Sequence, residues 1–274
     1  MRPLLAGIGD EAGPALADQL AAVTALGWSA IELRTIDGVA IADLDRRAFE
    51  RAADTLDAHG VRTVCVDSRI GDWSSTITGD FDADLDELRM LARRCARLNT
   101  RYVRIMSYPN DGLDDLEWSR QVHRRTRELA ARAEQAGLVL LHENCAGWAG
   151  ADAKRALDLL VETGSPALRL LFDTGNGLAY GYSGVEMLAD LVEFVDHVHI
   201  KDGAAGPVWT VPGAGAAEVK RCLDLLADAG YRGALSIEPH LSLRPHDDAP
   251  GTGRADGFVT AGRALESMLA TAAR

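Results

Sequence analysis

The sequence predicts a single-domain (β/α)8 barrel, an α/β fold. Three observations carry this expectation. Eight short apolar runs alternate with longer stretches of helical apolar spacing. Glycine closes several of those helical stretches just before the next run. The length of 274 residues also suits one large barrel. Strands alternating with helices imply a parallel sheet covered on both faces. Eight such units favour closure over an open doubly wound sheet, and no GxGxxG follows the first strand, where a dinucleotide fold would need it.

The runs, in order, begin with LLAGIG (4–9), which leads into the helical ALADQLAAVTALG ending at Gly27. SAIELR (29–34) follows, then a stretch ending at Gly60 and the run RTVCVD (62–67). DLDELRMLARRCARLN precedes YVRIMS (102–107), and a long helical stretch ending at Gly137 precedes LVLLHE (138–143). Gly164 comes before LRLLFD (168–173), and HVHI (197–200) is the seventh run. AAEVKRCLDLLADAG ends at Gly230, ahead of ALSIE (234–238), and a last helix is expected near 255–272. Linkers and low-complexity tracts are not evident, so the whole of 1–274 reads as one domain.

The composition is that of an ordinary soluble protein, and the net charge of −12 is spread along the chain. Such a surface repels phosphate backbones and anionic lipid, which excludes nucleic acid and membrane as expected partners. Arg93-Arg94 and Arg124-Arg125 lie in helical stretches mixed with acids and read as solvated faces. Cys65, Cys95, Cys145 and Cys222 are far apart, with no CxxC, which suits reduced thiols. The opening MRPLLAGIGDEAG has too short an apolar run for a signal peptide, and no run reaches membrane-span length. A cytoplasmic protein is expected.

The working face of a barrel lies at the C-terminal ends of its strands, so what ends each strand matters. The fifth ends in Glu143, the sixth in Asp173, the seventh in His199 and the eighth in Glu238. In each, strand parity points the side chain inward. Singly, each has an ordinary explanation: Asp173 could cap the next helix, and a strand histidine is more often a hydrogen-bonded core residue. Together, three carboxylates on one rim would repel one another, and a bound cation removes that conflict. The oxygen-rich set suits one divalent ion, Mn²⁺ first, with Mg²⁺, Co²⁺ or Zn²⁺ as alternatives. In DHVHIKD (196–202), His199 is then the ligand, His197 lies one layer deeper, and Lys201 stands at the rim. Asp10, Glu11, Glu32, Arg34, Asn144, Trp148, Lys201, His240 and Arg244 also fall at or just after strand ends. Glu32 and Arg34 are equally readable as an internal ion pair. Trp148 suits packing on a sugar ring or anchoring its loop. His240, with the parity of Glu238, is the best extra acid–base group.

The barrel order, the ligand set, FDTGN (172–176), HVHIKD (197–202), VPGAG (211–215) and GIGDEAG (7–13) resemble the xylose isomerase-like TIM barrel superfamily of sugar phosphate isomerases and epimerases. The likeness covers nearly the whole chain. It implies that Glu143, Asp173, His199 and Glu238 hold one divalent metal and that Glu143 and Glu238 also act as acid and base. An isomerase or epimerase working through an enediolate on a sugar, sugar phosphate or keto-polyol follows from it. The alternative is a lyase: a dehydratase of a keto-sugar, inosose or dehydroshikimate-like substrate, or elimination of a glycosidic substituent from a 3-oxo sugar. The ketohexose 3-epimerases of this group carry a second glutamate, a histidine and an arginine where this chain has Ala149, Asn176 and Ala205. The metal core is matched and that substrate clamp is not, so Asn176, Lys201, His240, Arg244 and Trp148 are the expected contacts to a small carbohydrate-like substrate. Abasic-site endonucleases share the fold but need further histidines, one of them where Asn176 stands. Dimers and tetramers are common in the resembled group, which leaves a homo-oligomer open.

Overall fold

Each apolar run forms a strand, and the strands close a barrel. The computed structural model describes residues 3–204, 208–241 and 254–272. The strands are β1 (Leu4–Gly7), β2 (Ala30–Leu33), β3 (Arg62–Asp67), β4 (Tyr102–Ser107), β5 (Val139–Gly147), β6 (Leu168–Asp173), β7 (Val195–Ile200) and β8 (Ala234–Ile237). They pair in parallel in the order β1-β8-β7-β6-β5-β4-β3-β2. A parallel bridge from Ile8 to Glu32 joins β1 to β2 and completes the ring.

Helices α1 (Leu16–Ala25), α2 (Arg46–His59), α3 (Phe81–Leu98), α4 (Asp115–Gln135) and α5 (Ala153–Thr163) follow the first five strands. A short α6 (Asn176–Tyr180) precedes α7 (Gly184–Leu191), and α8 (Val219–Asp228) and α9 (Arg254–Ala272) complete the layer. Aspartates start four of them: Asp45, Asp80, Asp114 and Asp152 each accept a hydrogen bond from a backbone N–H of the first turn. Gly60 and Gly164 end α2 and α5 in the left-handed conformation, as their places in the sequence imply. Two hairpins, Thr35–Ile36 with Val39–Ala40 and Asp202–Ala204 with Val208–Thr210, rise from the loops after β2 and β7.

The main core lies between barrel and helices, where Ile31, Leu33, Val66, Leu140 and Phe172 meet Leu56, Leu91, Leu129 and Leu159. Inside the barrel the floor is apolar: Cys65, Leu141 and Leu171, packed with Tyr102 and Val139. Above that floor the inward positions turn polar, and this change of character makes the site. The four cysteines are free and buried. Among the described residues no helix is long and apolar enough to cross a membrane.

β5 departs from the expected Glu143 end. It continues to Gly147, and its register against β4 shifts between Ile105 and Ser107. Gly147, at φ 95°, packs so closely on Ser107 that a side chain there would clash with it. This bend decides where Trp148 goes.

His142 lies next to Glu143 on the outward face of β5, paired with Ile105 and Leu170. Both of its ring nitrogens are buried without a hydrogen-bond partner, and burial pulls its pKa from 6.5 down to about 4. A base depressed in the fold is protonated first in the unfolded chain, so the unfolded state binds more protons between those two values. Stability is therefore lost as pH falls through that window, by about 2 kcal/mol between about pH 7 and about pH 5 from this group alone. We expect urea midpoints of His142→Met to fall less than wild-type midpoints over that range. Parallel pH profiles would remove His142 as the cause.

Candidate active site

One donor atom from each of Glu143, Asp173, His199 and Glu238 lies within 4.8 Å of every other, and all four residues are buried. Four adjacent strands place them: Asp173 ends β6, His199 and Glu238 lie beside the C-terminal ends of β7 and β8, and Glu143 lies midway along β5, which runs on to Gly147. His199 Nδ1 stands 3.7 Å from Glu143 Oε1 and 3.5 Å from Glu238 Oε2. The two glutamates thus share one neighbour, the unbonded edge of the imidazole.

Each of the four is also held by residues around it. Asp173 Oδ1 accepts from the backbone N–H groups of Gly175 and Asn176, at 2.7 and 2.8 Å, so the capping role and the site role coincide. Asn144 receives the Asp173 N–H on Oδ1 and donates Nδ2 to the Asp173 carbonyl, which fixes β5 against β6. Asn176 Nδ2 donates to Glu143 Oε1 at 3.1 Å, and Arg104 reaches Glu143 Oε2 at 3.4 Å. Glu238 takes Lys201 Nζ at 2.7 Å on one oxygen and Arg34 at 3.1 Å on the other. His197 and His199 each direct Nε2 to a different oxygen of Glu32, at 2.8 and 3.0 Å.

The electrostatics divide the three carboxylates. Burial pushes Asp173 up to about 6, with Glu238 and Glu143 adding to the rise and Lys201 opposing it. Burial acts the same way on Glu238, but Lys201, His240 and His199 outweigh it and hold that carboxyl well below its usual range. Burial lowers the Lys201 ammonium and the His199 ring, yet the surrounding carboxylates hold both well above their ordinary values. One donor atom is left over: His199 Nδ1 is buried without a hydrogen bond, whereas Asp173 Oδ2 is met by Lys201 at 2.9 Å. Three carboxylates and an imidazole with an open nitrogen, all at ligand spacing, fit a hard divalent cation.

The mouth beside Glu238 is a second network. Arg34 bonds Asp10, Glu11 and Glu238, and His240 donates both its backbone N–H and its Nδ1 side to Glu11, at 3.0 and 2.8 Å. His240 Nε2 then lies 3.7 Å from Glu238 Oε1. Glu11 is raised by burial but pulled down to about 2 by His240 and Arg34. Trp209, on the hairpin after β7, packs edge-on to His240, and the Lys201 ammonium stands over its ring, 5.3 Å from the centroid. Asp202 anchors that loop by accepting the backbone N–H groups of Gly203, Gly213, Gly215 and Ala217, which accounts for VPGAG.

Of the residues singled out in the sequence, Asn176, Lys201 and His240 come together around Glu143, Asp173, His199 and Glu238. Lys201 is buried and bridges Asp173 and Glu238, deeper than the rim position expected of it. The ion pair considered between Glu32 and Arg34 gives way to different partners, the two histidines for Glu32 and the mouth acids for Arg34. Trp148 is not in the cluster: its ring packs on His123 of α4 and under Arg155 of α5, in the outer core. The bend at Gly147 turns it outward. Arg244 lies outside the described residues. Sequence reasoning passed over Asp67 and Arg104, which sit behind Glu143 in the same polar layer. The signal was present, since RTVCVD ends in an acid and YVRIMS carries arginine at an inward position.

Comparison with known proteins gives a match to the xylose isomerase-like TIM barrel family over residues 20–256. The chain belongs to that family. A curated relative within reach is the 2-epi-5-epi-valiolone 7-phosphate 2-epimerase of Actinoplanes sp., 32% identical over 142 residues, covering 51% of this chain and 50% of that protein. The inosose dehydratase of Clostridium botulinum is 27% identical over 141 residues, covering 44% and 47%. The aligned part is therefore about half the length of each curated relative. Among solved structures, the probable 3-DHS dehydratase AsbF of Bacillus anthracis superposes with a TM-score of 0.75 over 97% of this chain and 99% of that one, at 16% identity, a likeness of fold. Membership in the xylose isomerase-like family agrees with the barrel.

Proposed function

We propose that this protein is a divalent-metal-dependent isomerase or epimerase of a small sugar, sugar phosphate or keto-polyol, acting by proton transfer next to a carbonyl. The observation that carries this is the pair Glu143 and Glu238, two buried carboxylates that lie 3.7 and 3.5 Å from His199 Nδ1, each with its own cationic partner. A cation held by Glu143, Asp173, His199 and Glu238, Mn²⁺ before Mg²⁺, Co²⁺ or Zn²⁺, would polarise a carbonyl and its neighbouring hydroxyl. One glutamate takes the proton from the intervening carbon, and the other returns one to the opposite face. Asn176 and Arg104 orient Glu143 for this task, while Arg34 and Lys201 orient Glu238. Lys201 also places positive charge where an enediolate oxygen develops.

A second reading, a dehydratase, is favoured by one feature: His240, steadied by Glu11, approaches Glu238 from the mouth. An imidazole there is placed to protonate a departing hydroxyl. The names of the curated relatives include both chemistries.

The test is solvent isotope exchange. Metal-loaded protein in D₂O is offered ketoses, sugar phosphates, inososes, dehydroshikimate and 3-oxo-glycosides, and followed by NMR and mass spectrometry. Deuterium entering a carbon beside a carbonyl, and ceasing to enter after EDTA, is the expected result. Conserved substrate mass supports the isomerase or epimerase, and loss of water or a substituent supports the lyase. Exchange that survives complete metal removal would overturn the metal-dependent reading.

A further inference from the structure

Glu32 is fully buried inside the barrel, on the opposite side of His199 from the site. Its two oxygens face two different rings, with His197 Nε2 at 2.8 Å from Oε2 and His199 Nε2 at 3.0 Å from Oε1. A carboxylate only accepts, so both rings must present Nε2–H to it. For neutral His199 that leaves Nδ1 without a proton. That nitrogen is the one buried without a hydrogen-bond partner and aimed between Glu143 and Glu238. The two rings stand nearly perpendicular, at 82° and 5.5 Å between centroids, so Glu32 grips them from one point with little freedom to swivel.

We propose that Glu32 is a positioning residue that fixes His199 in the Nε2–H tautomer, so that Nδ1 is the ring atom offered to a divalent cation at Glu143, Asp173 and Glu238. This rests on the metal-dependent reading above. The Glu32, His197 and His199 trio has ligand spacing of its own. In the structure each Nε2 meets its own oxygen of Glu32 at hydrogen-bond length, so the trio is already satisfied by hydrogen bonds. The two histidines of HVHIKD therefore divide their work: His199 meets the site, and His197 steadies the residue that orients it.

Glu32→Gln keeps the shape and breaks this logic. An amide offers an acceptor oxygen to one ring and an NH₂ donor to the other. If the NH₂ faces His199, the ring must move its proton to Nδ1, toward the two glutamates. If it faces His197, His199 keeps only a bond to an uncharged oxygen. Outer hydrogen-bond partners of metal-bound histidines typically change affinity by about 10–100-fold, and a loss in that range is expected. The experiment titrates Mn²⁺ into metal-free wild type and Glu32→Gln against a competing chelating indicator, with circular dichroism to establish folding. Wild type binding one Mn²⁺ with Glu32→Gln at least tenfold weaker supports the proposal. Equal affinities overturn it and leave the metal site standing. Wild type that binds no Mn²⁺ overturns both. A measurement needing no stable variant at position 32 is long-range ¹H–¹⁵N correlation on Zn²⁺-loaded wild type, with the His199 ring assigned by its loss in His199→Gln. Nε2–H on both His197 and His199, with Nδ1 of His199 coordinated, is expected. A proton on Nδ1 of His199 overturns the assignment.

Discussion

Glu238→Gln is expected to lower turnover on the order of 10³-fold. The substitution keeps the side chain's volume but removes its basicity, and Glu238 joins both parts of the site. One oxygen accepts Lys201 at 2.7 Å and lies 3.5 Å from His199 Nδ1, and the other accepts Arg34 at 3.1 Å. An amide at this place puts an NH₂ group against one of two cations, so it loses an ion pair as well as a base. Glu143→Gln is expected to be similarly inactive. Its local damage should be smaller, because Asn176 can turn its amide to meet the new one, although Arg104 loses a carboxylate. The two variants separate the roles. With one carboxylate removed, the other still reaches its own face of the substrate, so an epimerase variant should exchange deuterium into one epimer without converting it. Steady-state kinetics and proton NMR in D₂O read both quantities. Wild-type-like turnover in either variant would refute the acid–base assignment.

Much of this site was legible because a barrel translates position in a strand into position in space. Glu143, Asp173, His199 and Glu238 share inward parity and rim height, so their convergence follows once eight βα units are counted. The alternation survives because each strand's outer face must meet a helix, which keeps residues such as Val198 and Ile200 apolar beside the polar inward ones. What was hidden depends on closure and on local bends. Glu32 and Arg34 are two apart with the same parity, which suggests a pair. Only the ring's closure brings β2 opposite the histidines of β7, about 165 residues away in sequence. Trp148 was misplaced because alternation fails at a bulge, and the Gly147 bend ends the parity rule for β5 just beyond Asn144. Asp67 and Arg104 are hidden for another reason: each sits in an otherwise apolar run, and only the folded barrel brings Arg104 between Asp67 and Glu143.

Arg104 carries the second large effect, this time on stability. It is 5% exposed, yet its guanidinium lies 3.4 Å from Glu143 and 3.7 Å from Asp67, and it donates to the Ser68 carbonyl at 3.2 Å. Burial pushes Asp67 well above its usual range against the pull of Arg104, whereas Glu143 is held below its range by His199 and Arg104 together, against burial. The guanidinium is therefore the fixed countercharge behind Glu143, the glutamate proposed as acid or base. Arg104→Met leaves Glu143 buried without it and strands the Ser68 carbonyl, a change worth about 3–5 kcal/mol in comparable buried pairs. Arg104→Lys should recover little, since a single ammonium cannot span two acids and a carbonyl as the planar fork does. The loss should be largest in EDTA. With Mn²⁺ at the proposed site, the folded state would gain a cation next to Glu143 that the unfolded chain cannot hold, and part of the deficit should close. Urea denaturation with and without metal, on wild type and both variants, measures this directly. A loss below about 1 kcal/mol in EDTA would show Arg104 to be dispensable to the fold, and would leave Asn176 and His199 as what holds Glu143 in place.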